Sequence, residues 1–219
     1  MINIRSYDID PADLDDNGIA ESQAVVVLTT PELVLNGALC DLGTALQFDI
    51  GDAYSAGVGG VKLLFDSAGD ISTNVFTITG LDQDGNSATE TVTSVTTTPV
   101  STTKYYSQVT SITASIDTTS NVFVGTVTGE FCTPSVTISK KDRLVGATLA
   151  VGAVTGTCNF DIQQTFDDTE DTDVTPIWHA VSTGKTADIV ATAAIGVKAA
   201  RVKFNSYTNG AEAYLYVAD

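Results

Sequence analysis

Apolar and polar positions alternate along much of this chain, which is the period of a strand with one face buried. Residues 75–95 read VFTITGLDQDGNSATETVTSV, two strand-forming runs around Asp84-Gly85. Near the other end, Val202, Phe204 and Ser206 alternate with Arg201, Lys203 and Asn205; after Asn209-Gly210, Ala213, Leu215 and Val217 alternate with Tyr214 and Tyr216. Glycine accepts the positive φ of a tight two-residue turn, so each stretch is predicted to form an antiparallel hairpin.

The same reading predicts strands over residues 24–29, 45–50, 61–65, 105–116, 122–127, 136–139, 144–151, 158–166, 177–181 and 187–191. Their close spacing suits sandwiches or barrels and leaves no room for helical crossovers. The expected class is all-β, with antiparallel sandwich or barrel-like domains in tandem. A short helix is expected only over residues 11–16, with Asp10 as its cap and Pro11 in its first position. A boundary is expected near EFCTPS, residues 130–135, where Pro134 favours extended chain, giving domains of 1–132 and 133–219.

Composition reinforces the strand reading, because 33 of the 219 residues are threonine and 43% are hydrophobic. Charge narrows the partners: a net −17 opposes nucleic-acid binding, which needs a basic surface to release counterions. Residues 1–132 hold 17 acids and 3 bases, a net of −14, whereas 133–219 hold 10 acids and 7 bases, a net of −3. No apolar run approaches the ~20 residues that span a bilayer, and the MINIRSYDID start lacks a basic segment followed by an apolar one, so a protein made in the cytoplasm is expected. Cys40, Cys132 and Cys158 have neither zinc-site nor redox spacing and are read as reduced, buried thiols, a Cys132–Cys158 bridge being the alternative.

Candidate chemistry is sparse. His179 is the only histidine, and in PIWHAV its expected role is packing or surface exposure rather than proton transfer. No serine sits in a GxSxG elbow. The glycine-rich residues 51–60 lack the GK[ST] ending of a phosphate cradle and are read as a surface loop. DLDDNG opens like a calcium loop, yet the closing acid is missing, since the twelfth position from Asp13 is Ala24. Three oxygen-rich groups are candidate metal ligands: Asp13/Asp15/Asn17, Asp82/Asp84/Asn86 and Asp167/Asp168/Glu170/Asp171. Turn chemistry or solvation accounts for them, so no metal, no cofactor and no catalytic residue is expected.

The segments VFTITGLDQDGNSATETVTSV, KYYSQVTSITASI, VFVGTVTG and AARVKFNSYTNGAEAYLYV resemble small β-rich virion proteins of tailed bacteriophages, head decoration or cement proteins among them. The resemblance rests on texture over about half the chain and carries no catalytic motif. It implies sandwich domains, no enzymatic activity, synthesis in a bacterial cytoplasm, and repeated copies, as trimers, on the capsid exterior with the major capsid protein as partner. The alternative is a head or tail fibre module that binds host-surface glycans, presenting loops such as 51–60. Contact with the capsid is expected through the less acidic half, where Lys140, Lys141 and Arg143 cluster.

Overall fold

The computed structural model describes residues 4–9, 11, 14–26, 31–40, 46–47, 59–95, 98–126, 128–138, 146–169, 171 and 175–218. These form an antiparallel all-β body with no helix. In chain order the strands are β1 (Ile4–Ile9), β2 (Ala20–Gln23), β3 (Leu46–Gln47), β4 (Gly60–Val61), β5 (Leu64–Ser67), β6 (Ile71–Asp82) and β7 (Ser87–Val95). Then come β8 (Val100–Ser101), β9 (Tyr106–Ala114), β10 (Val122–Gly125), β11 (Phe131–Cys132), β12 (Val136–Thr137) and β13 (Thr148–Thr155). The last are β14 (Cys158–Thr165), β15 (His179–Lys185), β16 (Ile189–Thr192), β17 (Ala199–Tyr207) and β18 (Glu212–Ala218).

Three sheets result. The long sheet runs β15-β14-β17-β11-β4-β9-β6-β7, with β12 beside β17 and β3 beside β9. A terminal sheet is ordered β1-β18-β13-β16, and a small one β2-β10-β5-β8. Period-two burial is clean on the central strands: Phe76 and Ile78 on β6, Phe160 and Ile162 on β14, and Val202 and Phe204 on β17 are all fully buried. They join Leu149 and Val151 of β13 and Leu215 and Val217 of β18 in one hydrophobic cluster, which also takes in Phe65, Val122 and Val124 of the small sheet. Phe204 sits at its aromatic centre, with ring centroids 5.9 Å from Phe131, 5.8 Å from Phe160 and 6.3 Å from Tyr207.

The Asp84-Gly85 hairpin forms as its sequence predicts, with Gly85 at φ 81° and β6 paired to β7 from Leu81↔Ser87 outward. The Asn209-Gly210 hairpin does not. Gly210 does take a positive φ of 74°, yet β17 lies in the long sheet and β18 in the terminal sheet. Both edges of β17 are already filled, by β14 on one side and by β11 and β12 on the other, so the turn carries the chain from one sheet to another. The Asn209 side chain serves this corner from outside, accepting a hydrogen bond from the Leu14 amide at 2.7 Å.

Nor is there a helix over 11–16 among the described residues of that stretch. Asp15 instead extends the small sheet: its amide donates to Thr126 Oγ1 at 3.0 Å and its carbonyl accepts from the Thr126 amide at 2.7 Å. The expected division at 132/133 falls at the end of β11, and hydrogen bonding passes straight through it. Phe131 faces Phe204 of β17 on one side and Val61 of β4 on the other. The Thr133 amide then continues to the Val202 carbonyl at 2.9 Å. In addition β1, from the first segment, pairs with β18 along its whole length.

Candidate functional site

The DQDGN turn does more than reverse the chain. Asp82 Oδ1 accepts from the amides of Asp84 and Asn86, each at 2.9 Å, an Asx arrangement that stiffens the turn. Asp84 then reaches across to the other half. Its Oδ1 accepts from the Ser135 amide at 2.6 Å and the Ser135 hydroxyl at 2.8 Å, while Gln83 Nε2 donates to Oδ2 at 2.7 Å. The tip of the β6–β7 hairpin is thus pinned beside β11 and β12.

Next to this tip lies a polar seam over the β4–β11–β17 junction. Glu130 Oε2 receives Lys62 Nζ at 2.9 Å, the Tyr105 hydroxyl at 3.1 Å and Lys203 Nζ at 3.9 Å. Burial, then the proximity of Cys132 and Glu130, pushes the Tyr105 hydroxyl above its ordinary range, so it stays a proton donor. Burial also pushes the Cys132 thiol up to about 11, against the opposing pull of Arg201. A thiol so held is protonated and unreactive at neutral pH.

Arg201, on β17, lies with its guanidinium 4.0 Å from the centroid of Trp178 and donates from Nε to Gln163 Oε1 at 2.8 Å. The indole is therefore held against a fixed cation. Between this wall and the hairpin tip opens a cleft of about 710 Å3. Asp82, Asn86 and Ser87 line it from the first half, with Lys104 and Tyr105 of the segment before β9. Asp171, Thr175, Pro176 and Trp178 line it from the stretch after β14. Lys104 Nζ is tied to the Thr89 carbonyl at 2.9 Å.

The three oxygen-rich groups fare differently. Asp82, Asp84 and Asn86 do not converge as ligands: the Asp82 carboxylate caps its own turn by accepting the Asp84 and Asn86 amides, while that of Asp84 turns away to Ser135. The Asp167 carboxylate accepts from the Ile177 amide at 2.7 Å, tying the residues after β14 to those before β15. Asp15 Oδ1 accepts from the Asn17 amide at 3.1 Å, and Asp13, Glu170 and Asp173 lie outside the described residues. Among the described residues no three His, Cys, Asp or Glu side chains gather as a metal-binding group.

His179 is exposed at the start of β15, its ring 5.9 Å from that of Phe166. All three cysteines are free thiols; Cys132 and Cys158 are buried, whereas Cys40 is half-exposed, with its thiol donating to the Ile19 carbonyl at 3.2 Å. Of the glycine-rich segment, 51–58 lie outside the described residues, as do Lys140, Lys141 and Arg143. The sequence reading missed the Trp178–Arg201 wall, for which the available signal was the chain's single tryptophan two residues after Pro176. The chain matches no protein-family model, no curated protein and no solved structure.

Proposed function

We propose that this chain is a non-enzymatic structural protein of a tailed-phage particle, binding the outer surface of the capsid in repeated copies as a decoration or cement protein. The observation that carries the reading is the unbroken pairing of the long sheet through β4, β11 and β17. A protein that braces neighbouring shell subunits needs contact surfaces at a fixed separation. Here the strongly acidic 1–132 segment and the weakly charged 133–219 segment are joined by backbone hydrogen bonds and by Asp84–Ser135, not by a flexible linker.

Charge divides the labour between the two segments. The half at −14 keeps free copies apart in solution, and the half at −3 is the one able to approach another acidic surface. The side chains of Asp82, Asp84 and His179 have structural engagements that suit this reading: Asp82 braces its turn, Asp84 holds Ser135, and the His179 ring lies beside Phe166. A homotrimer is the assembly this reading takes, because closed symmetry saturates an interface.

The test is sedimentation with undecorated capsid shells of the phage that encodes the chain. Expected is recovery with heads, saturating at a fixed ratio of copies to capsid subunits, and weakened when Lys140 and Lys141 are both changed to Glu. Recovery with tails, or no binding to heads at any protein concentration, would overturn the proposal.

A further inference from the structure

The cleft between the hairpin tip and Trp178 is built at the seam of the two halves, from stretches the sequence keeps far apart. Its volume, about 710 Å3, lies inside the ~300–1,000 Å3 range of small-molecule sites. The lining decides what class of molecule fits. An anion would meet three carboxylates, Asp82, Asp84 and Asp171, against two cations that are already engaged, Lys104 by the Thr89 carbonyl and Arg201 by Gln163 and the Trp178 ring. A divalent cation needs carboxylate oxygens free to bind it, yet Asp82 Oδ1 already accepts two amides and both oxygens of Asp84 are taken. A wholly apolar ligand would cover Trp178 and Pro176 but bury the hydroxyls and the amide opposite them without partners.

What remains is a neutral molecule with one apolar face and a rim of hydroxyls. A pyranose ring is that molecule: its axial C–H groups form a flat apolar face, and its equatorial hydroxyls both donate and accept. Trp178 offers the flat counterpart through the indole face that Arg201 does not cover. Asn86, Ser87 and Thr175 supply side chains that donate and accept in turn. Both walls are set before any ligand arrives, one by Gln163–Arg201–Trp178 and the other by Asp84–Ser135, so little ordering entropy is lost on binding.

We propose that this cleft is a binding site for a neutral saccharide, with the sugar's apolar face on Trp178 and its hydroxyls toward Asn86, Ser87 and Thr175. The inference stands apart from the capsid assignment, because sedimentation with shells reads one and sugar binding the other.

Trp178 is the chain's only tryptophan, so its emission reports this cleft directly. The full chain is titrated with neutral mono- and oligosaccharides of hexoses and N-acetylhexosamines, and separately with inorganic phosphate, a sulfated oligosaccharide and calcium chloride. A saturable change in emission with at least one neutral sugar is expected. Asn86→Ala, on the exposed turn and checked for folding by circular dichroism, should weaken that binding about tenfold, the loss of one hydrogen bond. Calorimetry should show binding abolished in Trp178→Ala and partly kept in Trp178→Phe. Oligosaccharide preferred over its own monosaccharide assigns the ligand to a glycan chain, and equal binding assigns it to free sugar. The proposal is overturned by no saturable response to any neutral sugar at millimolar concentration, by response to phosphate, sulfated sugar or calcium alone, or by binding that Asn86→Ala and Trp178→Phe both leave unchanged.

Discussion

Phe204→Ala tests whether the two halves form one cooperative body. The ring is fully buried, and its residue is paired in register with Phe131 of β11 and Phe160 of β14. Truncating a buried phenylalanine to alanine costs about 3–5 kcal/mol. Because this ring also loses its contacts with Phe131, Phe160 and Tyr207, and aromatic pairs add ~0.5–1.5 kcal/mol each beyond area, the upper part of that range, about 4–5 kcal/mol, is expected. At roughly 2–4 °C per kcal/mol for a chain of this size, Tm should fall by about 8–20 °C. Urea unfolding is followed by Trp178 emission, which sits in 133–219, and by far-UV circular dichroism, which reads the whole chain. Both curves should shift together, as one transition. A fall under about 4 °C, or a fluorescence transition that moves while most of the dichroism stays in place, would refute the reasoning and leave the segments as independent domains.

Asp84→Ala removes the acceptor of both Ser135 bonds and should cost about 2–3 kcal/mol in urea unfolding, the worth of hydrogen bonds to a charged group, whereas Asp84→Asn keeps an oxygen and should lose less than half of that. Gly125→Ala should destabilise by about 1–3 kcal/mol or more, because an added Cβ would stand 2.1 Å from the backbone carbonyl oxygen of Asp15, which cannot swing away. For Cys132 the folded thiol titrates at about 11 against an ordinary 9.0, so its contribution is fully present below pH 9 and is lost as pH rises toward 11. Its share is about 2–3 kcal/mol, and alkaline unfolding of Cys132→Ala should be less steep by that amount between those limits. Thermal melts with and without a chelator should coincide; a large drop with chelator would point to an oxygen-ligand site after all.

Strand content was legible because local chemistry carries it: alternation marks β6, β9, β14, β17 and β18, and Asp84-Gly85 dictates its own turn. Pairing was not. The AEAYLYV alternation after Asn209-Gly210 looks the same whether the next strand folds back beside β17 or crosses to another sheet, and the choice depends on β11, β12 and β14 occupying both edges of β17. The same limit hid β1, whose Ile4, Ser6 and Asp8 are too mixed to mark a strand until β18 supplies its partner. In the cleft, Asp82, Asp84 and Asn86 were visible as a group, but Arg201 and Trp178 reach them only through the long sheet. Asp10 and Pro11 favour a helix start by capping rules, yet Asp15 pairs with Thr126, and tertiary pairing outweighs a weak local preference.

The pairing of β1 with β18 sets the order in which the molecule can be finished. Ile4 lies opposite Ala218, so β1 finds its neighbour only after β18, far along the chain, has been made. Loop closure over nearly the whole chain makes this a contact of very high sequence separation, and folding should be correspondingly slow. Until β1 docks, one edge of β18 is open while its other edge is held by β13. At high protein concentration β1 of a second copy competes for that edge, giving strand-exchanged assemblies. Dilute refolding should therefore favour the self-closed chain, and concentrated refolding the exchanged one.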